Sequence, residues 1–513
     1  MEHLPEALYR AVDTRAADQR AASEHGLAGG VLMERAGRTA FALLRERFPR
    51  ARRIAVVCGP GNNGGDGYVL ARLAKEAGLA VTVLSPVNTA GAQAHPTTTT
   101  AGTAVPKGDA AAACAAWHKG GGTVQVVSVE HLQACDVIVD ALFGTGLERP
   151  PEGAWHAAIE AMNASGRPVF AIDIPSGLHA DSGRVLGAAV RALLTLSFIG
   201  LKAGLFTGQG REHSGLILFD DLGVPDAVFT GVTPLAQRIT QRNLRGLLTA
   251  RVRHAHKGDA GRVLVVGGQP GMSGAVRLVG EAAYRAGAGL VVLATHPVHA
   301  ASISAARPEL IAYGVNDAPA IQPLFSGAHA LAVGPGLGQG EWGRALWQAA
   351  LAADKPLIVD ADALNLLAAQ PRSRADWVLT PHPGEAARLL GVSVADIQSD
   401  RFSAARAITQ RYGGVCVLKG NGTLIATPDE SLLWLCDRGN PGLATGGSGD
   451  VLTGVIAALL AQGLAPIEAA RLGVWAHASA GDRVAASGER GILASDLLSP
   501  VRDIINDIVN HAA

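Results

Sequence analysis

The sequence predicts an α/β protein of two parallel-sheet domains, and three observations carry that expectation. Short β-rich apolar runs alternate with Ala/Leu/Arg stretches of helical period along nearly the whole chain. Two such series are separated by an aperiodic stretch, residues 222–240, that holds Pro225, Gly231 and Pro234. The chain has 513 residues, 48% of them hydrophobic and 17% charged, which is more apolar material than one core accommodates.

In the first series, residues 54–58, 80–84, 137–140 and 168–173 read as buried strands, because a strand covered by helices on both faces is apolar throughout. Helical stretches at 68–77 and 155–164 lie between them, and such crossovers make the sheet parallel. Residues 89–122, rich in Thr, Ala and Gly, read as a surface excursion. In the second series the strands are 262–266, 290–294, 328–333, 356–360, 377–380 and 415–418. The boundary is set near residue 235, giving domains 1–235 and 236–513. The two series carry different motifs, so they are not an internal repeat.

Composition excludes several classes. Basic and acidic residues number 44 each, so the chain lacks the field of a nucleic-acid or anionic-membrane binder, and a small-molecule partner is expected. Cys58, Cys114, Cys135, Cys416 and Cys436 are scattered with no C-x-x-C pair, which fits a reducing cytoplasm better than a disulfide framework or a zinc ribbon. The opening residues do not read as a secretory signal, and the longest apolar run, 192–201, is well short of the roughly 20 residues a membrane helix needs. A soluble, cytoplasmic, homo-oligomeric protein is expected.

The loop at 59–67, GPGNNGGDG, follows a strand and opens a helix. It satisfies G-x-G-x-x-G, but the dinucleotide fingerprint also wants an acidic residue about 20 positions on. Residues 84–88 hold no carboxylate, so the dehydrogenase reading weakens. Its glycines let backbone approach a phosphate, while Asn62, Asn63 and Asp66 add polarity that a plain phosphate cradle does not need. A tight turn capped by Asn and Asp is the bland alternative. The next two strand ends carry Asp140, followed by the loop from Gly144, and Asp173, followed by Ser176. Carboxylates at adjacent strand ends point into the ligand crevice of an α/β sheet, although either could simply cap its turn. Asn, Asp and Ser oxygens without His or Cys suit a hard cation.

In the second domain, GGSGD at 446–450 directly precedes a helical run at 451–462. Such a loop is an anion hole of backbone N–H groups at a helix N-terminus, and Asp450 is placed to be a general base toward a hydroxyl, or else is an ordinary N-cap. Nearby signals agree: GPGLG at 334–338, TPHPGE at 380–385 and KGNGT at 419–423. Lys419, one of seven lysines, ends a buried-looking strand. His382 sits between two prolines, and taken alone reads as structural. No lysine follows a glycine, so a Walker site is excluded.

Residues 62–66, 140–147 and 169–177, with LMERAG at 32–37, resemble the YjeF N-terminal domain, the NAD(P)H-hydrate epimerase family. The four second-domain motifs resemble the YjeF C-terminal domain, the hydrate dehydratase family of ribokinase-like fold. The resemblance implies a Rossmann-like three-layer αβα domain followed by a ribokinase-like α/β domain. It implies an epimerase substrate along Asn62, Asn63, Gly64, Gly65 and Asp66 and along Gly144, Thr145, Gly146, Leu147, Glu148, Arg149 and Pro150, with Asp173 as acid/base. It further implies potassium on Asn63, Asp140 and Ser176, and the hydrate lined by Ala275, Gly336, His382 and Asp450. The nucleotide would be held by Lys419, Gly420, Asn421, Gly422, Thr423 and Gly449. The co-substrate implied for a bacterial-type member is ADP, with magnesium, and the substrates are hydrated NADH and NADPH.

Two rival classes follow from the same residues. A ribokinase-like kinase of a small alcohol shares the terminal loop, but vitamin kinases do not carry the Asn62–Asp66 motif fused upstream. A non-catalytic nucleotide sensor needs neither Asp173 nor Asp450.

Overall fold

In Ile54–Cys58 every side chain is buried, as a strand sandwiched between helices requires. The structure is a computed structural model that describes residues 4–87 and 105–510; the Thr-rich part of the spacer, 88–104, lies outside the described residues. The chain divides into two compact units, Met1–Ala236 and Gln237–Ala513.

The first unit is built on β1 (Arg53–Cys58), β2 (Ala80–Ser85), β3 (Val124–Val126), β4 (Val137–Ala141), β5 (Val169–Ile172), β6 (Leu194–Phe198) and β7 (Leu216–Asp220), in the order β3-β2-β1-β4-β5-β6-β7. Every pairing is parallel. Alternate residues feed opposite faces. Val56, Val139 and Phe170 join a core with α1 (Ala11–His25), α2 (Gly29–Arg47), α3 (Asn62–Glu76) and α4 (Gly108–Lys119), while Ala55, Val57 and Ile138 join another with α5 (Ala154–Ala164). The result is three layers, helices on both faces of the sheet.

Two expectations need correcting. Residues 108–119 are no surface excursion: they form α4, whose Ala110, Cys114 and Trp117, spaced i, i+4, i+7, are buried. Alanine-rich turns on its other face masked that period. Helix α3 begins at Asn62 rather than at Tyr68, because its glycine-rich first turn is helical too. A Cβ on Gly64 would stand 1.9 Å from the Gly59 carbonyl oxygen, so only glycine lets the turn pack this closely.

The second unit is built on β8 (Arg262–Val266), β9 (Leu290–Thr295), β10 (Ile311–Gly314), β11 (Ala330–Val333), β12 (Leu357–Val359), β13 (Trp377–Leu379), β14 (Val415–Leu418), β15 (Thr423–Ala426) and β16 (Leu433–Cys436). Their order is β10-β9-β8-β11-β12-β13-β14-β15-β16, parallel through β14 and closed by two antiparallel hairpin pairings. Helix α6 (Ser273–Arg285) and the apolar α7 (Ser448–Ala461) share the core with α8 (Pro466–Val484). Buried all round, α7 keeps its first turn at the carboxyl ends of the strands. Among the described residues, no helix is long and apolar enough to cross a membrane.

Candidate active sites

The carboxyl ends of β1, β4 and β5 open on a cavity of about 540 Å³ in the first unit. Asn62, Asn63, Asp66, Gly144, Thr145, Gly146, Leu147 and Asp173 all line it. Other residues of the expected set lie elsewhere. Gly64 and Gly65 are buried packing positions, the latter against Met33; Glu148, Arg149 and Pro150 are exposed, and Glu148 lines a smaller neighbouring recess. The capped-turn alternative fails at the glycine loop, since the N-cap of α3 is Gly61 and no side chain caps it.

Asp173 ends β5 with φ +66°, a left-handed conformation that a non-glycine residue keeps only when its surroundings enforce it. Its Oδ1 is bound by the Lys202 ammonium and, at 3.4 Å, by the Phe198 N–H. Lys202 is buried, and its Nζ also donates to the Phe198 carbonyl at 2.9 Å and to Ser197 Oγ at 3.3 Å. The lysine is thus fixed by three acceptors. Three further carboxylates line this cavity, Asp18, Asp66 and Asp109. Burial pushes Asp18 up to about 6, with Lys202 opposing and Asp173 adding to the shift. Asp66 is pushed well above the carboxylate range by burial and then by Asp173 and Asp18.

Behind the cavity, Asp140 has no exposed surface. Its Oδ1 accepts from Ser176 Oγ at 2.6 Å and the Leu142 N–H at 3.1 Å, and its Oδ2 from the Ser176 N–H at 2.8 Å. It does cap its own turn, but it is also a charge buried without a cationic side chain, and burial raises it to about 6. Asn63 Nδ2 donates to the Phe143 carbonyl at 2.9 Å, while its Oδ1 is buried with no hydrogen-bond partner. Ser176 Oγ accepts from the Phe143 N–H at 2.8 Å, so Asn63, Asp140 and Ser176 meet at one segment. An orphaned amide oxygen and an uncompensated carboxylate are the donors a hard monovalent cation takes.

In the second unit, Asp450 lies in the first turn of α7, which starts at Ser448 rather than after the glycine loop. Gly447 is the N-cap with φ +88° and no side-chain cap bond, so Asp450 is not a capping residue. Burial, then the nearby Asp360, raises Asp450 to about 7, with Lys419 opposing. Lys419 Nζ donates to Asp360 Oδ1 at 2.9 Å and lies 3.9 Å from Glu385 Oε2. Asp360 Oδ2 accepts from Thr453 Oγ1 at 2.8 Å, which ties β12, β14 and α7 together. A Cβ on Gly449 would lie 3.4 Å from Lys419 Nζ, so the glycine loop and the lysine face each other.

His382 caps the helix Pro383–Leu390 through Nδ1, which accepts from the Gly384 N–H at 2.9 Å, and burial with Lys419 lowers its pKa. Glu385 returns a bond to the His382 N–H at 2.8 Å and is raised to about 7, chiefly by burial. Ala275 and Gly336 adjoin, a Gly336 Cβ falling 3.4 Å from that of Ala275. Residues 419–422 form the turn between β14 and β15, with Asn421 exposed at its tip and Thr423 Oγ1 donating to the Gly420 carbonyl at 3.1 Å.

A family model described as YjeF-related protein N-terminus matches residues 29–204, and one described as NAD(P)H-hydrate dehydratase matches residues 263–502. A protein named bifunctional NAD(P)H-hydrate repair enzyme Nnr from Coxiella burnetii is 45% identical, over 95% of this chain and 97% of its own. The protein of that name from Escherichia coli K12 is 44% identical, over 99% of this chain and 96% of its own. The chain belongs to the bifunctional NAD(P)H-hydrate repair enzyme family. Among solved structures, the ADP/ATP-dependent NAD(P)H-hydrate dehydratase from Bacillus subtilis, co-crystallised with ATP/Mg2+, is 32% identical over 53% of this chain and 98% of its own, with a TM-score of 0.46.

Within this family member, sequence reasoning missed Lys202, Asp18, Asp360 and Arg401. Lys202 had a readable signal, a lysine closing the apolar run 192–201. Asp360 likewise closes a strand. Arg401 gave none: it is buried in a helix, and its Nη2 donates at 3.3 Å to each of the Leu418, Lys419 and Gly422 carbonyls, holding the turn from a distance in sequence.

Proposed function

We propose that the chain is a bifunctional nicotinamide-nucleotide repair enzyme in which residues 1–235 epimerise the R and S forms of hydrated NADH and NADPH. Residues 236–513 then dehydrate the S form at the expense of ADP. The observation that carries this reading is that each unit holds its own carboxylate beside a lysine at the carboxyl ends of a parallel sheet: Asp173 with the buried Lys202, and Asp450 with the half-buried Lys419 and its partner Asp360. A kinase of a small alcohol would need only the second.

Hydration adds water across the C5–C6 double bond of the nicotinamide ring, and the hydroxyl at C6 must become a leaving group to be lost. In the second unit Asp450, near neutrality in pKa, takes the hydroxyl proton as the oxygen attacks the terminal phosphoryl of the nucleotide. The backbone N–H groups of the 446–449 loop and Lys419 receive the phosphoryl charge, phosphate departs from C6, and loss of the added C5 proton to the departing phosphate reforms the double bond. His382, neutral and held at the helix start, and Ala275 with Gly336 line the hydrate. Lys419, Gly420, Asn421, Gly422, Thr423 and Gly449 hold the nucleotide. Three acids, Asp360, Glu385 and Asp450, face Lys419, so this corner of the site is short of positive charge. A magnesium ion carried by the nucleotide would fit that deficit, Glu385 being the residue that would hold it, and would supply charge neutralisation on the phosphates.

Only one configuration at C6 suits such a site, and the other must be converted. In the first unit Asp173, held by Lys202, is the acid/base, with Asn62, Asn63, Asp66 and residues 144–147 around the substrate. Asn63, Asp140 and Ser176 fit a potassium ion, which would order the loop at Phe143 behind the nicotinamide. The proposal includes a cytoplasmic, homo-oligomeric protein that binds no nucleic acid; five free, buried cysteines support the reducing compartment. The test is incubation of mixed hydrate epimers with ADP, followed by the absorbance of reduced nicotinamide. Full recovery is expected, and no recovery on either epimer would refute the reading.

A further inference from the structure

Seven parallel strands of the second unit present their carboxyl ends in the row β10-β9-β8-β11-β12-β13-β14. Asp360, His382 and Lys419 follow the last three of these strands. The opposite end of the row is furnished as well, and the chemistry above does not use it. His296 follows β9 and caps the helix Pro297–Ala306, on which His299 lies. Trp342 lies at the start of the helix Glu341–Ala352, which follows β11. The Trp342 indole N–H donates to the carbonyl of Val315, just after β10, at 2.8 Å. The His296 ring meets Trp342 edge to face at 5.8 Å between centroids, and His299 at 6.5 Å.

This cluster is joined to the hydrate end of the site. His299 Nε2 stands 3.1 Å from the Gln269 carbonyl and 3.2 Å from the Gly271 N–H. The Gln269 N–H in turn donates to the Gly336 carbonyl at 2.7 Å. All three rings are half-buried, so they are neither core nor free surface. A tryptophan with its one donor satisfied and its ring held is a low-entropy face for a flat partner.

We propose that Trp342, His296 and His299 form the subsite for the adenine end of the hydrated dinucleotide, an inference that rests on the dehydratase reading of this unit. The hydrate is a dinucleotide, and only its nicotinamide end meets Asp450. Lys419, at the end of β14, and the glycine loop that faces it hold the phosphoryl donor, so the remainder of the hydrate runs the other way along the row. From β12 to β9 is three strand spacings, about 14 Å, which suits the span between the two bases of an extended dinucleotide. Aromatic faces bind bases by stacking, and imidazole edges supply hydrogen bonds to base or ribose.

The full-length chain separates the possibilities with two substrates: the S hydrate of NADH, and the S hydrate of reduced nicotinamide mononucleotide, which lacks the adenosine. Trp342→Ala raises KM for the dinucleotide hydrate roughly tenfold with kcat unchanged, and leaves kcat/KM for the mononucleotide hydrate as in wild type. Trp342→Phe, which keeps a ring without the N–H, restores most of the loss. An equal loss on both substrates, or no loss on either, overturns the subsite. Wild-type protein that dehydrates neither substrate overturns the dehydratase reading itself, and the subsite with it.

Discussion

Both candidate sites pair a lysine with a carboxylate, but they do so differently. In the first unit Lys202 binds Asp173, the acid at the end of β5, and binds it directly. In the second unit the equivalent bond goes to Asp360, and Asp450 is left beside the pair, raised to about 7. A lysine bonded to the reacting acid fixes that acid in place. A lysine bonded to its neighbour leaves the acid's proton affinity high, which is what a base near neutral pH needs. Asp450→Asn is therefore expected to lose dehydration by roughly 10²–10⁴-fold while keeping nucleotide binding, read by turnover and by calorimetric titration with ADP. Wild-type turnover would refute its role. Asp173→Ala should lose epimerisation on the same scale and still dehydrate the S epimer. On mixed hydrates it shows a fast phase ending at the S fraction, then the slow unaided rate; a single complete fast phase would remove Asp173 from the mechanism.

The lysines sharpen the contrast. Lys202→Met frees Asp173 from its anchor and should cut epimerisation by roughly 10²-fold, the cost of a misplaced catalytic group. Because Lys202 positions rather than reacts, kcat falls more than KM rises, and S-epimer dehydration is untouched. A loss confined to KM would count against positioning. In the second unit the softer change is Asp360→Asn. Asp360 raises Asp450, so its neutralisation lowers that carboxyl and moves the acid limb of kcat/KM from about 7 to lower pH. Since Asp450 near 7 is only about half ionised at neutrality, the gain there is at most roughly twofold. The pH profile is the readout: an unmoved limb would mean that Asp450 is not the titrating base.

The difference between the sites also explains what was legible in the sequence. The strands at 54–58, 137–140 and 262–266 announce themselves because helices cover both faces and leave only the strand ends to polar residues. Val124–Val126 and Ile311–Gly314, with partly or fully exposed residues at the sheet edges, do not. Asp173 and Asp450 stand in glycine-flanked motifs, where backbone and side chain are constrained together. Asp18 and Arg401 act through the tertiary fold: Asp18 lies on helix Ala11–His25, far in sequence from the strand ends it faces. No local pattern distinguishes such residues from ordinary surface charges until the chain is folded.

The smallest effect concerns the cation behind the first site. Asp140 is fully buried with only neutral donors, and Asn63 Oδ1 is buried with no partner. Left alone, each costs free energy that ordinary hydrogen bonding returns elsewhere in the fold. A bound potassium ion offsets both at once, and because it binds the folded chain only, it stabilises by mass action. Adding potassium to saturation should raise the melting temperature of the wild-type protein by a few degrees, about what 1–2 kcal/mol gives a domain of this size. Lithium, a smaller ion that holds its water more tightly, should not. Asp140→Asn keeps the shape and removes the charge, so its melting temperature should no longer respond to potassium, whether or not the variant is itself more stable. If the wild-type transition ignores potassium while epimerisation proceeds, Asn63, Asp140 and Ser176 hold the loop at Phe143 by their own hydrogen bonds, and the acid chemistry of Asp173 stands without an ion.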